Sequence, residues 1–190
     1  MKSKTVEERR AWELINDAQK NVHDVKMTAI NPAFVLGPSL VPWARYSAIQ
    51  MKQLLQIPFA LPMQGYAVDV RDVAAMQVAL MQTDAADGTR NLAMGMPMSM
   101  ADLKRIMVTD FRDQSIRSAM IPIPAWLLLP LRGTTTGADF YPRFKGQVTY
   151  QPLHPEFYQY QYTNLRVSVD EMMTQLLKDK QIGPQQQKIT

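Results

Sequence analysis

Apolar residues recur at intervals of three and four along several stretches of the chain, the spacing that one face of an α-helix requires. Residues 5–18 show it first, with charged residues on the opposite side, and predict an amphipathic helix at the start of the chain. Its apolar face comprises Ala11, Leu14, Ile15 and Ala18. Similar spacing predicts helices over residues 46–55 and 69–83, and from Ser99 and Ser168 onward.

Two serines are followed three residues later by a carboxylate, the pattern of a helix capping box. They are Ser99, followed by Asp102, and Ser168, followed by Glu171. We therefore expect Ser99 and Ser168 to be the N-cap residues of their helices.

Short apolar runs between the predicted helices indicate strands over residues 25–30, 66–68 and 91–94. We expect Asn31-Pro32 to end the first strand, because proline cannot donate a hydrogen bond to a sheet. Helices and strands alternate along the chain, which predicts an α/β fold.

Composition excludes several classes of function. The chain has 190 residues, with 21 Lys and Arg against 17 Asp and Glu, and the basic residues do not cluster, so we expect no nucleic-acid surface. There is no cysteine, and His23 and His154 lack metal-site spacing, so we expect neither disulfides nor a metal centre. The longest apolar stretch, residues 121–131, is broken by prolines and is shorter than the roughly 20 residues that span a bilayer. No apolar signal segment follows Met1, so we expect no membrane association and a cytoplasmic location.

Motifs for catalysis are scarce in this sequence. None of the eight glycines lies in a G-x-G-x-x-G or Walker A pattern. The carboxylate pairs Asp69 with Asp72 and Asp110 with Asp113 are interpreted as helix caps or solvated surface groups without a catalytic role. The 14 methionines suggest an adaptable apolar cleft. Candidate cleft or core residues are Met96, Met98, Met100, Trp126 and Tyr141.

Three sequence blocks nevertheless occur in the order and spacing of a known family. They are S-K-T-V-E-E-R-R-A-W at residues 3–12, A-I-N-P-A-F-V-L-G-P at 29–38 and V-D-V-R-D-V-A at 68–74, and G-T-R-N at 88–91 also fits. Through them the chain resembles the extended short-chain dehydrogenase/reductase family, which is NAD-dependent epimerase/dehydratase-like. The likeness is greatest to its dihydroflavonol-reductase and cinnamoyl-CoA-reductase branch. From about residue 100 onward the resemblance is in outline only.

The resemblance implies an α/β fold that is the C-terminal half of a Rossmann-type NAD(P)-binding fold plus a smaller α/β substrate-binding domain. Residues 1–35 and 66–95 would form the remaining part of the nucleotide-binding domain, and residues 36–65 and 96–182 the substrate-binding part. The Gln-rich residues 183–190 are expected to be a disordered tail.

The resemblance also implies the functional residues. Lys4 takes the lysine position of the family's Tyr-x-x-x-Lys motif, where it would be catalytic by lowering the tyrosine pKa and would bind the nicotinamide ribose. Pro32 and Val35 match positions whose backbone lies against the nicotinamide carboxamide, and Ser47 matches a position near the cofactor phosphates. The cofactor would be NAD or NADP, and the substrate a small carbonyl compound or alcohol. Without the family, Lys4 is interpreted as a solvated charge at a helix end and Pro32 as a strand terminator.

Counting back four places from Lys4 puts the tyrosine one residue before Met1, with the family's glycine-rich turn further upstream. We therefore expect the C-terminal portion of an NAD(P)-dependent oxidoreductase, from a truncated gene, an internal start or a decayed copy. Such a chain would be inactive in isolation, and would pair with a separate N-terminal half or self-associate. The alternatives are a self-sufficient small α/β protein, a non-enzymatic binding module or an inert remnant.

Overall fold

The computed structural model describes residues 2–21, 25–41, 46–114, 116–124, 126–127, 130, 133–134, 143–144 and 161–183. Within these residues the chain forms five α-helices: α1 (Lys2–Asn21), α2 (Ser47–Gln56), α3 (Val70–Met81), α4 (Met100–Asp110) and α5 (Leu165–Lys178). Two 3-10 turns follow α3 and α4, at Asp84–Ala86 and Arg112–Gln114. The predictions for His23, His154, Tyr141 and the tail beyond residue 183 lie outside the described residues.

The strands of the described residues form three parallel pairs, one of which is extended by an antiparallel strand. They are β1 (Ala29–Pro32), β2 (Phe34–Leu36), β3 (Phe59–Ala60), β4 (Gln64–Asp69), β5 (Arg90–Ala93), β6 (Met96–Ser99) and β7 (Ile121–Pro122). Strand β1 pairs with β5 in parallel, and β2 pairs with β4 in parallel. Strand β6 adds to β4 in antiparallel orientation, and β3 pairs with β7 in parallel. The α/β fold class predicted from the sequence is confirmed.

The first strand differs from its prediction, because it runs through Pro32 instead of ending before it. Pro32 lies opposite Ala93 in the β1–β5 register. The amide nitrogens of Ala29 and Ala33 donate to Thr89 and Ala93 of the β5 side, at 3.0 and 2.9 Å. Because amide directions alternate along a strand, the nitrogen of Pro32 faces away from β5, where the missing N–H is not needed for pairing.

Strand β6 was not predicted from the sequence, and Gly95 makes its position possible. Gly95 has a φ of 47°, and a Cβ added to it would lie 2.1 Å from the carbonyl oxygen of Ala67. The chain therefore turns closely over β4 between β5 and β6, at a point where a side chain cannot be placed. Pro97 lies opposite Tyr66 within β6.

The larger apolar core lies between the β2–β4–β6 sheet and helices α2, α4 and α5. Its most buried members include Leu36, Met51, Leu103, Met107 and Met173, each no more than 1% exposed. A smaller apolar cluster joins α3 to the sheets and consists of Met76 on α3, Val68 on β4 and Ala93 on β5. These helices show the apolar spacing that the sequence analysis identified, so their buried faces confirm that interpretation.

The two predicted capping boxes have different outcomes. The Ser99 hydroxyl accepts from the amide of Asp102, and the Asp102 carboxylate accepts from the amide of Ser99, so this capping box is confirmed. The prediction for Ser168 is wrong, because α5 begins earlier and its N-cap is Asn164, whose side chain accepts from the amide of Arg166. Asn is as good an N-cap as Ser.

Candidate functional site

Lys4 lies in the first turn of α1 with its ammonium in solvent. Its side chain is 85% exposed, and its Nζ atom is 2.9 Å from Oε2 of Glu7, one turn further along the helix. The hydrogen bond and negative charge of Glu7 raise the pKa of Lys4, with a smaller contribution from Tyr46. The Lys4 side chain is therefore a cation at neutral pH that retains hydrogen-bond donors for a second acceptor.

A second carboxylate attaches the same helix to the β1–β5 sheet. Glu8 lies 2.8 Å from the Nε atom of Arg90, the first residue of β5. The hydrogen bond from Arg90 lowers the pKa of Glu8, and the Trp12 side chain adds to this effect. This contact joins the first turns of α1 to the start of β5.

Pro32 and Val35 lie where β1 ends and β2 begins. Pro32 is exposed, whereas Val35 is half-buried against the Val68, Met76 and Ala93 cluster. Beside Pro32, the side-chain amide nitrogen of Asn31 is buried, and the Asn31 side chain contributes to the lowered pKa of Glu8. In α/β proteins ligands bind beyond the carboxyl ends of parallel strands, and these residues occupy such a position on β1.

Ser47 is the first residue of α2 and is partly buried. Tyr46 before it has a φ of 44°, a left-handed backbone that is uncommon for a tyrosine. Within the described residues the only hydrogen bond of the Lys4 ammonium goes to Glu7, and none joins Lys4 to Pro32, Val35 or Ser47.

The sequence analysis missed a buried polar network at the carboxyl end of β4. Asp69 is 2% exposed and accepts hydrogen bonds from the Arg71 amide, from the Arg71 guanidinium and from the Ser168 hydroxyl, the last at 2.6 Å. Burial alone would raise the pKa of Asp69, but the bonds from Arg71 and Ser168 lower it below that of a free aspartate. Arg71 continues the network to Glu171 of α5 at 2.8 Å.

Two further sets of hydrogen bonds attach α5 and the segment before it to the rest of the fold. Asp72 is 2% exposed and accepts from both the amide and the hydroxyl of Thr163, at 2.8 and 2.9 Å. The Gln175 side chain exchanges two hydrogen bonds of 2.6 Å with the backbone of Ser39. Asp69, Arg71 and Asp72 of the V-D-V-R-D-V-A block therefore contact distant parts of the chain, which sequence spacing alone does not show.

Three members of the two carboxylate pairs accept hydrogen bonds from other residues. Asp69 caps α3, as expected, but Asp72 is a buried tertiary contact and not a solvated group. Asp110 receives two hydrogen bonds from Arg166, and this pairing lowers its pKa. Carboxylates held by cations in this way are poor proton acceptors near neutral pH.

The candidate cleft residues differ in how far their side chains are buried. Met98 is 4% exposed and belongs to the larger core, Met96 and Met100 are half-buried, and Trp126 is 66% exposed. No group of three or more His, Cys, Asp or Glu residues that could hold a metal ion occurs in the described part of the chain. None of the helices described above combines the length and apolarity that crossing a membrane requires.

Lys4 carries a hydrogen-bond donor at the start of α1, and Asn31 carries one near the end of β1, whereas Pro32 has no amide N–H to donate. The sequence contains no glycine-rich loop to hold the pyrophosphate.

Comparisons with known proteins support the reductase resemblance. No protein-family model matches the chain. The chain is 31% identical over 87 residues to cinnamoyl-CoA reductase CAD2 of Medicago truncatula, an alignment that covers 45% of this chain and 25% of that protein. Yeast methylglyoxal/isovaleraldehyde reductase Gre2, solved with NADPH, matches 92% of this chain and 54% of its own, with a TM-score of 0.63 and 20% identity.

Gre2 of Candida albicans, also solved with NADPH, matches 90% of this chain and 49% of its own, with a TM-score of 0.67 and 23% identity. The chain thus has the Rossmann-like fold of these reductases and spans about half of their length. Its likeness to the extended short-chain dehydrogenase/reductase family, which the sequence blocks indicated, is confirmed.

Proposed function

We propose that this chain is the C-terminal portion of an NAD(P)-dependent oxidoreductase that reduces a carbonyl compound to an alcohol, or catalyses the reverse reaction. The observation that carries the proposal is the match of 90% of the chain to an NADPH-bound reductase. The similarity to a cinnamoyl-CoA reductase supports it independently. We propose further that the chain acts in the cytoplasm and is inactive alone.

In the proposed enzyme the nicotinamide supplies the hydride, and the residues of this chain orient the cofactor and assist proton transfer. Lys4 acts on a tyrosine from another segment, because a nearby cation favours the phenolate and lowers the tyrosine pKa toward the working pH. The ammonium of Lys4, which is 85% exposed, would also hold the ribose hydroxyls. The backbone at Pro32 and Val35 would contact the carboxamide, and Ser47 would lie on the phosphate side.

The remaining half of the nucleotide-binding domain is proposed to come from a separate segment. In the described residues β1 pairs only with β5, so its second edge carries no strand. Parallel sheets normally have their central strands paired on both sides and both faces covered. Residues 1–35 and 66–95 would complete a sheet with that segment, and residues 36–65 and 96–182 would form the substrate-binding part.

The first test is an assay of the purified chain with NADH and NADPH on simple aldehydes and ketones. We expect no turnover, because removing members of a catalytic unit costs several orders of magnitude in rate. Turnover that persists through repurification and disappears in Lys4→Ala would contradict the proposed incompleteness of the site.

The second test restores the segment encoded upstream of Met1, as one chain or as a co-expressed fragment, and compares Lys4→Ala with Lys20→Ala. Lys20 is a matched control, because it lies on α1, is 73% exposed and pairs with Asp17 at 2.9 Å, as Lys4 pairs with Glu7. We expect Lys4→Ala alone to reduce the rate by about a hundredfold and to move the apparent pKa of the reaction upward. Equal rates and pH profiles for the two variants would contradict the role proposed for Lys4.

A non-enzymatic binding module or inert remnant is the second candidate, favoured by the absence of a phosphate loop from the sequence. A stop codon or unrelated sequence directly upstream of Met1 would support it. An in-frame tyrosine codon immediately before Met1, preceded by a glycine-rich strand–turn–helix segment, would contradict it.

A further inference from the structure

The ion pairs of α1 differ in what they join. Three of them connect exposed neighbours within the helix, at distances of 2.8 to 2.9 Å. They are Lys4–Glu7, Arg10–Glu13 and Lys20–Asp17. Glu8 instead pairs with Arg90, 82 residues further along the chain, and its side chain is 24% exposed. Glu8 therefore reaches another element of the fold, which the other three carboxylates do not do in these pairs.

The Glu8 carboxylate is held by a forked contact. Two guanidinium nitrogens of Arg90 donate to its two oxygens, at 2.8 and 3.4 Å. Such a pairing fixes the orientation of the two groups as well as their separation. The side chains of Trp12 and Asn31 add to the lowering of the Glu8 pKa by Arg90, so the carboxylate is ionised at neutral pH.

Arg90 is a firm attachment point because it belongs to a paired strand. It is the first residue of β5 and lies opposite Ala29 of β1. The amide of Ala29 donates to the carbonyl of Thr89, directly before Arg90, at 3.0 Å. The contact with Glu8 therefore attaches α1 to backbone that sheet pairing already holds.

Little apolar burial holds α1 in place. Among its described side chains none is fully buried, and the partly buried ones are Glu8, Ala11, Trp12, Ile15 and Ala18. A helix with so little buried apolar surface depends more on individual polar contacts for its position than a core helix does. Lys4 lies one turn before Glu8, about 6 Å along the helix axis, so a movement of this turn would displace Lys4 as well.

We propose that Glu8 is a positioning residue, whose pairing with Arg90 fixes the first turns of α1 on the β1–β5 sheet and so places the Lys4 ammonium for the reaction. The inference rests on the function proposed for Lys4, and adds to it a residue that touches neither substrate nor cofactor. Because Glu8 acts through Lys4, its effect on the rate has to vanish when the Lys4 ammonium is removed.

The first measurement uses the chain as it is and needs no activity. Amide hydrogen exchange in residues 5–12 is compared for the parent, Glu8→Ala, Glu8→Gln and Glu13→Ala at one protein concentration. Glu13 is the matched control, because it is a carboxylate of the same helix whose pair with Arg10 stays within the helix. We expect exchange about fivefold faster in Glu8→Ala and close to that of the parent in Glu13→Ala. Glu8→Gln keeps an acceptor for Arg90 and should lie between them.

The second measurement uses the protein with its upstream segment restored. Glu8→Ala should lower the rate about tenfold, because a small displacement of a catalytic group is costly, and Glu8→Gln should recover most of that loss. In a Lys4→Ala background, Glu8→Ala should cause no further loss. A merely structural role would instead lower the rate by the same factor in both backgrounds.

The two proposals fail in different ways. Equal exchange in Glu8→Ala and Glu13→Ala would overturn the anchoring by Glu8, and so would the same loss of rate from Glu8→Ala with and without Lys4. A restored enzyme that is active and tolerates Glu8→Ala would overturn this inference and leave the proposed function standing. A restored parent without turnover on NADH and NADPH would contradict the proposed function itself, and this role of Glu8 with it.

Discussion

The hydrogen bond from Ser168 to Asp69 joins α5 to β4 inside the protein, and Ser168→Ala removes it. Both residues are 2% exposed, and the bond length is 2.6 Å. A hydrogen bond to a charged group contributes about 1.5 to 3 kcal/mol. Part of this loss, roughly 0.5 kcal/mol, is offset because alanine is a better helix former than serine. The Arg71 guanidinium also still donates a hydrogen bond to Asp69 in the variant. The variant should therefore lose about 2 kcal/mol of unfolding free energy.

A loss of this size corresponds to a fall of about 4 to 8 °C in the thermal midpoint for a chain of this length. The measurement is thermal unfolding followed by circular dichroism, at one protein concentration for all variants. Thr174→Ala is the matched control, because Thr174 lies on the exposed side of the same helix. We expect its thermal midpoint to stay within about 1 °C of the parent or to rise slightly.

The pH dependence provides a second check on the same bond. The folded-state pKa of Asp69 is lowered, so the stabilisation from its ionised form is present above the unfolded pKa of about 3.9 and is lost as the pH falls through the folded pKa. The difference between Ser168→Ala and the parent should therefore be smaller at about pH 3 than at about pH 7. Equal midpoints for Ser168→Ala and Thr174→Ala, or a difference that is independent of pH, would refute the reasoning.

Three further outcomes are expected. Gly95→Ala should lower the free energy of unfolding by about 3 kcal/mol or more, because its Cβ would clash with the Ala67 carbonyl. Gly88 also has a positive φ but has open space around it, so Gly88→Ala should lower the same free energy by only about 1 kcal/mol. Denaturant titration measures both values. Burial and the neighbouring Asp110 raise the pKa of Asp170, so its ionised form destabilises the folded state at about pH 7. Asp170→Asn should therefore raise the thermal midpoint at about pH 7 but not below the unfolded pKa of about 3.9. A higher midpoint at both pH values would contradict this. Among the described residues one edge of β1 pairs with no strand, so the chain alone should self-associate through that edge. A sharp monomer in light scattering with a cooperative thermal transition would count against that.

The sequence by itself determined most of the helices and the α/β class. The apolar positions of α1, α3 and α4 recur at the helical period, and the Ser99 capping box lies within four residues, so both signals are local. The family resemblance was also readable, because its blocks are contiguous segments of the chain. The same resemblance supplied the roles proposed for Lys4, Pro32, Val35 and Ser47, which no local pattern indicates.

Only the tertiary structure decided which strands pair and which polar groups are buried. Strand β6 exists because Gly95 allows the chain to pass against β4, a contact between residues far apart in sequence. Ser168 resembled a helix cap locally, but its hydroxyl binds a carboxylate 99 residues away. Periodicity reports which face of an element is apolar, whereas hydrogen-bond partners across the fold depend on packing that no single segment contains.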